Sequence, residues 1–547
     1  MPTYPTEPAL EAAVVAHADE DTPRLAYADW LDEHGDPDRA AFIRAQCRLA
    51  DLSPAEPDWI DLREQQLELA ARLRSRFLIM LDDTPERFYT GSDLLGHHEE
   101  PFRRGFPYSI DCQTDGEEWT AEETARVAAD LARLVRTTTV RGFHPYGIPA
   151  RALAALLAAP VAAELTGLSL MPHPTYDWRA EAAEYYRLVA HSPAMRRVQN
   201  LFLYGGYAGT PPVAVAELVK ATALGAVRRL TLQDLTAPAA VLDKLTKAPW
   251  FRRLRHFRCN LEKPAVAVPM IAGLGRLPAL HTLDLTELPP GAVATLAAGK
   301  FPALARLLYG GPLVAASAKK LAAANFPALT AFVAGGGFAR NDGLIELLKA
   351  DWFARLRVLD LSDNGIGDKG VKALAAHPVA RTLRALRLGD NTFGAGALPA
   401  LTRDGAFPEL TTLDLGSYHK RKGTPAELAA WLATLRLPRL RHLDLRAWPL
   451  GNAGAKALAA NPTLAGLTRL TLEDCGIGDP GARALFASPH LQNLVELQMS
   501  YNSVKEGADA LTDPKTMPRL GECWLSGNRI PQKAAPKLER DDLYLIT

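Results

Sequence analysis

The chain has 547 residues, and its 62 lysines and arginines equal its 62 aspartates and glutamates, so the formal net charge is zero. That balance argues against a general electrostatic partner such as nucleic acid or an anionic membrane, and no apolar run reaches transmembrane length. An odd set of five cysteines without close pairs, and a start (MPTYPTEPALEA) lacking basic and apolar signal regions, give a cytoplasmic protein as the expectation.

Residues 1–82 carry no repeat and read as a small all-α domain. Asp21-Thr22-Pro23 predicts a helix start, LAYADWLDEH continues it on a helical period, and Gly35 ends it. Asp36-Pro37 opens a second helix that runs through DRAAFIRAQCRLA to about Leu49. After the break SPAEP, a longer amphipathic helix is predicted from Trp59 to Leu81. Tyr27, Trp30, Phe42 and Ile43 are the candidate core. The run DTPRLAYADWLDEHGDPDRAAFIRAQ resembles the bacterial repeat-companion domain, over roughly residues 7 to 50. That resemblance implies an architectural domain placed ahead of repeats, with no assigned catalytic activity. Asp29, Asp32 and Glu33 share one helix and read as solvated carboxylates rather than metal ligands.

Residues 83–105 read as a connector containing Gly91, the run His97-His98-Glu99-Glu100, and Arg103-Arg104. The histidines lack the i, i+4 spacing of a helical zinc site, so no metal is assigned. The repeat region is taken as 106–547. FPYSIDC predicts a first edge strand, TAEE at Thr120 a capping-box helix start running to about Val135, and 138–143 a second strand. These early units are degenerate and are expected to seal the first apolar edge of the stack.

From there one rhythm dominates. In LRVLDLSDNGIGDKGVKAL, from Leu356 to Leu374, Leu359 and Leu361 are two apart and share one face of a strand, with Asp360 on the other. Val371, Leu374 and Ala375 then give a helix one apolar stripe, with Asp368 as its expected N-cap. The leading apolar position recurs at Leu165, Val198, Val227, Leu254, Leu280, Leu304, Leu329, Leu356, Leu383, Leu410, Leu440, Leu467, Leu494 and Leu520. Pro278, Pro302, Pro327, Pro408, Pro438 and Pro518 each lie two residues upstream, where proline stops a helix and releases the chain into a strand. One such unit cannot offset the ordering of its own backbone, so neighbours must stack. The pattern resembles the leucine-rich repeat, and the helices IGDKGVKAL and IGDPGARAL resemble its ribonuclease-inhibitor-like class. The fold class implied is α/β: a leucine-rich-repeat solenoid with a curved parallel sheet inside and helices outside, which in that class binds protein on the concave face.

Asn364, Asn391, Asn502 and Asn528 form an expected structural ladder, with Cys475 replacing one member, because a buried carboxamide there must bond turn backbone. Leu235 and Leu288 stand at that position in middle repeats, and Cys475, Cys523 and Cys259 read as core residues rather than nucleophiles. Inserts in MPHPTYDW and YGGYAGTPP put Tyr176, Trp178, Tyr204 and Tyr207 on one rim, available for turn packing or partner contact. The insert SYHKRKGTP widens one step to 30 residues, and its HKRK cluster reads as a solvated loop or a patch for an acidic partner. The repeat decays after Ile530, and DDLYLIT is expected to cover the last edge.

No P-loop, HExxH, CxxC pair or GxSxG occurs. The GGG run at 335–337 lacks the P-loop lysine, and DLSDNGIGD lacks the alternating carboxylates of a calcium loop. No catalysis, cofactor or small-molecule substrate is indicated. What remains is the strand face, where Thr231, Arg258, Asp284, Leu308, Val333, Asp360, Arg387, Asp414, Asp444, Thr471, Gln498 and Trp524 point outward. Arg357, Arg384, Arg441, His442, Arg469, Glu473, Glu496 and Tyr501 flank them. Mixed charge with a few aromatics suits an unknown protein partner, with Trp524 and Tyr501 as anchors. Solvent exposure is the plainest reading of any single rung. An assembly role driven by the helical domain, or GTPase activation of the kind one activator family performs with this repeat type, are the alternative readings. A repeat-borne ubiquitin ligase fits poorly, since only Cys47 lies in a helical domain.

Overall fold

The computed structural model describes residues 6–52 except 19, parts of 62–73, short strand segments between 88 and 112, and then 119–171, 178–204, 211–402, 405–513, 515–530 and 544–546. The run 97–100, most of the two rim inserts and most of the connector lie outside these residues. Two compact units divide the chain: one holds residues 1–69 and 76–308, the other mainly 309–324 and 329–547.

The first unit begins with three helices: α1 (Glu7–Ala16), α2 (Thr22–Glu33) and α3 (Pro37–Asp51). Asp36 caps α3 by accepting from the Arg39 amide, while Asp21 makes no such bond at the start of α2. Tyr27, Phe42 and Ile43 are buried, and Trp30 packs against the cluster that Tyr27 and Ile43 share with Leu31 and Cys47. Leu10 and Val14 of α1 join that cluster. The sequence reading missed α1 because EPALEAAVVA is apolar nearly throughout and shows no face.

Strands Ser109–Cys112, Gly142–Pro145, Gly167–Leu170, Asn200–Tyr204, Arg229–Gln233, His256–Asn260 and Thr282–Thr286 follow in parallel register. Ser109–Cys112 is not an edge as expected, since Phe88–Tyr89 pairs with it antiparallel. The helix at Thr120 runs Ala121–Thr137, with the Thr120 hydroxyl accepting from the Glu123 amide. Its neighbour strand starts at Gly142 rather than 138. Arg141 reaches back to the Val15 carbonyl of the helical segment at 3.5 Å.

In the second unit, Ala331–Val333, Val358–Asp360, Ala385–Arg387, Thr412–Asp414, His442–Asp444, Arg469–Thr471, Glu496–Gln498 and Glu522–Trp524 pair in parallel, each with the next. Tyr544–Ile546 extends the ladder beyond Trp524, as the C-terminal reading expected. Leu359, Leu386, Leu413, Leu443, Leu470 and Leu497 stand opposite one another and are fully buried, so the leucine spacing read along the chain becomes a continuous apolar column. The fold is that of a leucine-rich-repeat stack: strand, turn, helix, repeated in register.

Side chains tie each repeat to the next. Asn391 donates to the Leu361 carbonyl at 2.8 Å and accepts from the Asn364 and Ile366 amides. Asn502 does the same with Leu472, Cys475 and Ile477. Asn364 donates to Ala334, and Asn528 to Met499. Cys475 donates to the Leu445 carbonyl at 3.1 Å, and burial pushes its thiol far up, as it does for Cys259.

Helix starts are linked likewise. Asp368 is the first residue of its helix and not its cap; its carboxylate accepts from Gly394 of the following repeat at 2.9 Å. Asn341, Asn452 and Asp479 each accept amides at the next helix start in the same way.

Candidate interaction surface

Strand alternation that buries the leucines turns the intervening residues to the opposite face. In the second unit this places Asp360, Arg387, Asp414, Asp444, Thr471, Gln498 and Trp524 side by side, one per strand. In the first unit Thr231, Arg258 and Asp284 do the same. Arg258 and Asp284 form an ion pair at 3.4 Å.

These rungs are held, not loose. Asp360, Asp414 and Asp444 each accept the backbone amide two residues on, from Ser362, Gly416 and Arg446, at 2.8–3.0 Å. Asp360, Arg387, Asp414, Gln498 and Trp524 are half-buried, whereas Asp444 and Thr471 are buried, Asp444 only 7 % exposed. The expectation of an outward-facing, solvated Asp444 is therefore corrected: Arg446 closes over it at 3.4 Å, and Arg446 also reaches Glu473 at 3.5 Å. Burial, reinforced by Asp414 on the adjacent strand, pushes the Asp444 carboxyl up to about 7. Burial raises Asp414 as well. His442, flanked by Thr412 and Arg469, is held well below its ordinary value by burial and by Arg469 and Arg387, so it stays neutral.

The turn that follows each strand adds a second row. Gly336, Asp363, Asp390, Ala447, Asp474, Tyr501 and Gly527 all take positive φ, between 52° and 71°. Aspartate tolerates this conformation and glycine is free in it; Gly527 is further required because a Cβ there would lie 2.5 Å from the Tyr501 ring. The ring of Tyr501 is thus seated on Gly527 and remains 62 % exposed. Phe338 (67 %) and Tyr418 (79 %) are exposed in the corresponding turns of other repeats. Tyr418 stacks under the Arg446 guanidinium at 5.2 Å, and its amide donates to Asp390 at 2.8 Å. The sequence reading overlooked Phe338, Tyr418, Asp363, Asp390 and Asp474. Their distance of seven to nine residues from the leading leucine was the available signal.

The HKRK cluster is solvated at His419, Lys420 and Lys422, as expected, but not at Arg421. Lys420 pairs with Asp474. Arg421 is buried, donates to the carbonyls of Asn391, Leu415 and Gly416, and lies between the rings of Phe393 and Trp448 at 4.8 and 5.5 Å. Among the described residues no helix is long and apolar enough to cross a membrane, and no group of three His, Cys, Asp or Glu side chains could hold a metal.

Comparison with known proteins agrees with this geometry at the level of the repeat. The Leucine Rich repeat family model matches residues 356–375 and 467–486. No curated protein matches the chain. Among solved structures, the chain is similar to the Rad7 and Elc1 complex of yeast (21 % identity, 68 % of this chain and 94 % of that one, TM-score 0.41). It is also similar to an internalin, inlF, of Listeria monocytogenes (15 %, 74 % and 94 %, TM-score 0.30). A third is the Toll–Spatzle complex of Drosophila (13 %, 80 % and 60 %, TM-score 0.31). The chain carries leucine-rich repeats.

Proposed function

We propose that this protein is a recognition module that binds another protein on the outward face of its parallel strands and performs no reaction of its own. The observation that carries the reading is the row Asp360, Arg387, Asp414, one charged side chain per strand, with both carboxylates fixed by backbone amides and exposed aromatic rings in the turns beyond. Fixed side chains lose little entropy on binding, and alternating charge selects a partner of complementary pattern. The helices of nine and eight residues at Asp368–Ala376 and Asp479–Phe486 favour the ribonuclease-inhibitor-like class of repeat. Five free, buried cysteines favour a reducing compartment such as the cytoplasm.

Affinity capture from native lysate with the full chain tests the reading against the triple variant Asp360→Arg, Arg387→Glu, Asp414→Arg. A protein retained by the parent and lost by the variant supports recognition on this face. The same protein retained equally by both refutes it.

A further inference from the structure

Three aromatic rings of the second unit stand out in water. Phe338, Tyr418 and Tyr501 are 67 %, 79 % and 62 % exposed, and no other large apolar side chain among the described residues exceeds 53 %. Each lies in the turn that follows a strand, respectively Ala331–Val333, Thr412–Asp414 and Glu496–Gln498. Those strands are three steps apart in the parallel ladder. Val358–Asp360 and Ala385–Arg387 fill the first interval, and His442–Asp444 and Arg469–Thr471 the second. Adjacent strands lie about 4.8 Å apart, so a ring recurs about every 14 Å along the turns.

The repeat itself does not call for aromatics there. Phe338 takes φ of 53° and Tyr501 of 57°, a conformation that a bulky side chain adopts only at a cost. The place of Phe338, five residues past Val333, is held in two later repeats by Gly365 and Gly476, at 64° and 70°. The Phe338 ring makes no stacking or cation–π contact among the described residues. Arg446 meets one face of Tyr418, and Gly527 one face of Tyr501. Backbone strain spent on exposed apolar surface points to binding. Charge adds a second constraint. Between Phe338 and Tyr418 the outward row and the turns carry four carboxylates, Asp360, Asp363, Asp390 and Asp414, against two guanidiniums, Arg340 and Arg387, a surplus of two negative charges. Asp363 is exposed and forms no ion pair among the described residues. Asp390 accepts the Ser417 hydroxyl and the Tyr418 amide through Oδ1 alone. In the second interval the acids are already engaged: Lys420 pairs with Asp474, and Arg446 with Asp444 and Glu473.

We propose that Phe338, Tyr418 and Tyr501 anchor an extended segment of the partner protein, with an apolar side chain at every fourth residue and a lysine or arginine midway between the two that meet Phe338 and Tyr418. This deepens the reading above and rests on its premise that the second unit binds protein, while placing the anchors in the turns. An extended chain rises about 3.4 Å per residue and turns alternate side chains to one side, so four residues span about 14 Å and face the same way. A helix fits less well, because one face recurs after seven residues at about 10.5 Å and after eleven at about 16.5 Å. The basic side chain lies over the acidic surplus of the first interval.

The test uses the full chain and a fluorescent, extended peptide of about nine residues, with leucine at both ends and the centre, lysine midway between them and threonine elsewhere, followed by anisotropy. Binding is expected, with a loss of about tenfold in Phe338→Gly/Tyr501→Gly. The thermal midpoint of Phe338→Gly does not fall, because glycine is at ease at that φ. Val213→Ser/Val268→Ser, which removes two exposed apolar side chains of the first unit, leaves the affinity unchanged. Moving the central leucine by one residue turns it away from the surface and loses most of the binding. No binding by the parent, equal binding by the glycine pair, equal binding of the shifted peptide, an equal loss in the valine pair, or tighter binding of a glucan oligosaccharide than of the peptide would each overturn the proposal. Peptide binding that depends on the rings, in a chain whose lysate partner ignores the Asp360/Arg387/Asp414 reversal, would sink recognition on the strand row and support anchoring in the turns.

Discussion

The indole N–H of Trp448 donates to the carbonyl oxygen of Leu415 at 2.9 Å, the bond that Asn502 makes to Leu472 and Asn391 to Leu361. Trp448 stands eight residues past Leu440, as Asn502 does past Leu494. The ladder that links repeats is therefore not a row of asparagines with one cysteine but a row of donors in which a carboxamide, an indole and a thiol are interchangeable. In the repeat between Asn391 and Trp448 the ladder position is Tyr418, which faces solvent, and the buried guanidinium of Arg421 takes over the turn carbonyls instead.

Unequal costs follow from unequal bonding. Asn502→Ala removes donations to Leu472 and Met499 and strands the Cys475 and Ile477 amides, so it is expected to cost about 3 kcal/mol. Trp448→Phe loses one donor to a carbonyl that Arg421 also serves, and about 1 kcal/mol is expected. Urea unfolding of the two variants measures the difference.

Arg421→Met keeps the stem between Phe393 and Trp448 but takes the guanidinium from the Asn391 carbonyl and one of two donors from the Leu415 and Gly416 carbonyls, which Trp448 and the Asp390 amide also serve, with an expected loss of about 2 kcal/mol. Arg421→Lys should recover little of it, since one ammonium cannot reproduce a planar fork. Full recovery of the thermal midpoint by lysine would show that charge alone matters there.

Asp444 makes stability fall with rising pH. Its carboxyl is raised by burial and by Asp414, so the folded state holds a proton that the unfolded chain has released. Its contribution is full below the ordinary carboxylate value and is lost as the pH rises through about 7. Asp444→Asn preserves the acceptor for the Arg446 amide and is expected to flatten the decline in urea midpoint between those limits.

Asp479 acts in the opposite sense. Burial works to raise it, but the amides of Lys505, Gly507 and Glu506 together outweigh burial and hold it below its ordinary value. Its contribution is present at neutral pH and is lost as the pH falls through that depressed value. Asp479→Ala is expected to cost about 1 kcal/mol at pH 7 and to speed hydrogen exchange at Lys505 and Gly507, one repeat away from the substitution.

The repeat itself was legible because leucine spacing and upstream proline are one-dimensional signals: each leucine states its own burial. Asp368 misled because a carboxylate at a helix start reads as the cap of that helix, while its acceptor role lies 26 residues on, at Gly394. Arg421 misled for a similar reason. A charge in a polar insert signals solvent, and its partners Asn391 and Trp448 stand 30 residues before it and 27 after it in the chain. Asp444 read as exposed because alternation gives the face a side chain points to, but not whether Arg446 lies across it.

Hydroxyl-radical footprinting of the full chain, alone and with a protein captured by it, tests the proposed recognition face most directly. Tyr418 and Tyr501 are exposed, oxidisable rings beside the charged row. The account predicts that both lose reactivity when the partner binds, while the buried Tyr185 and Tyr186 stay unreactive in either state. Undiminished oxidation of Tyr418 and Tyr501 in the saturated complex would contradict it.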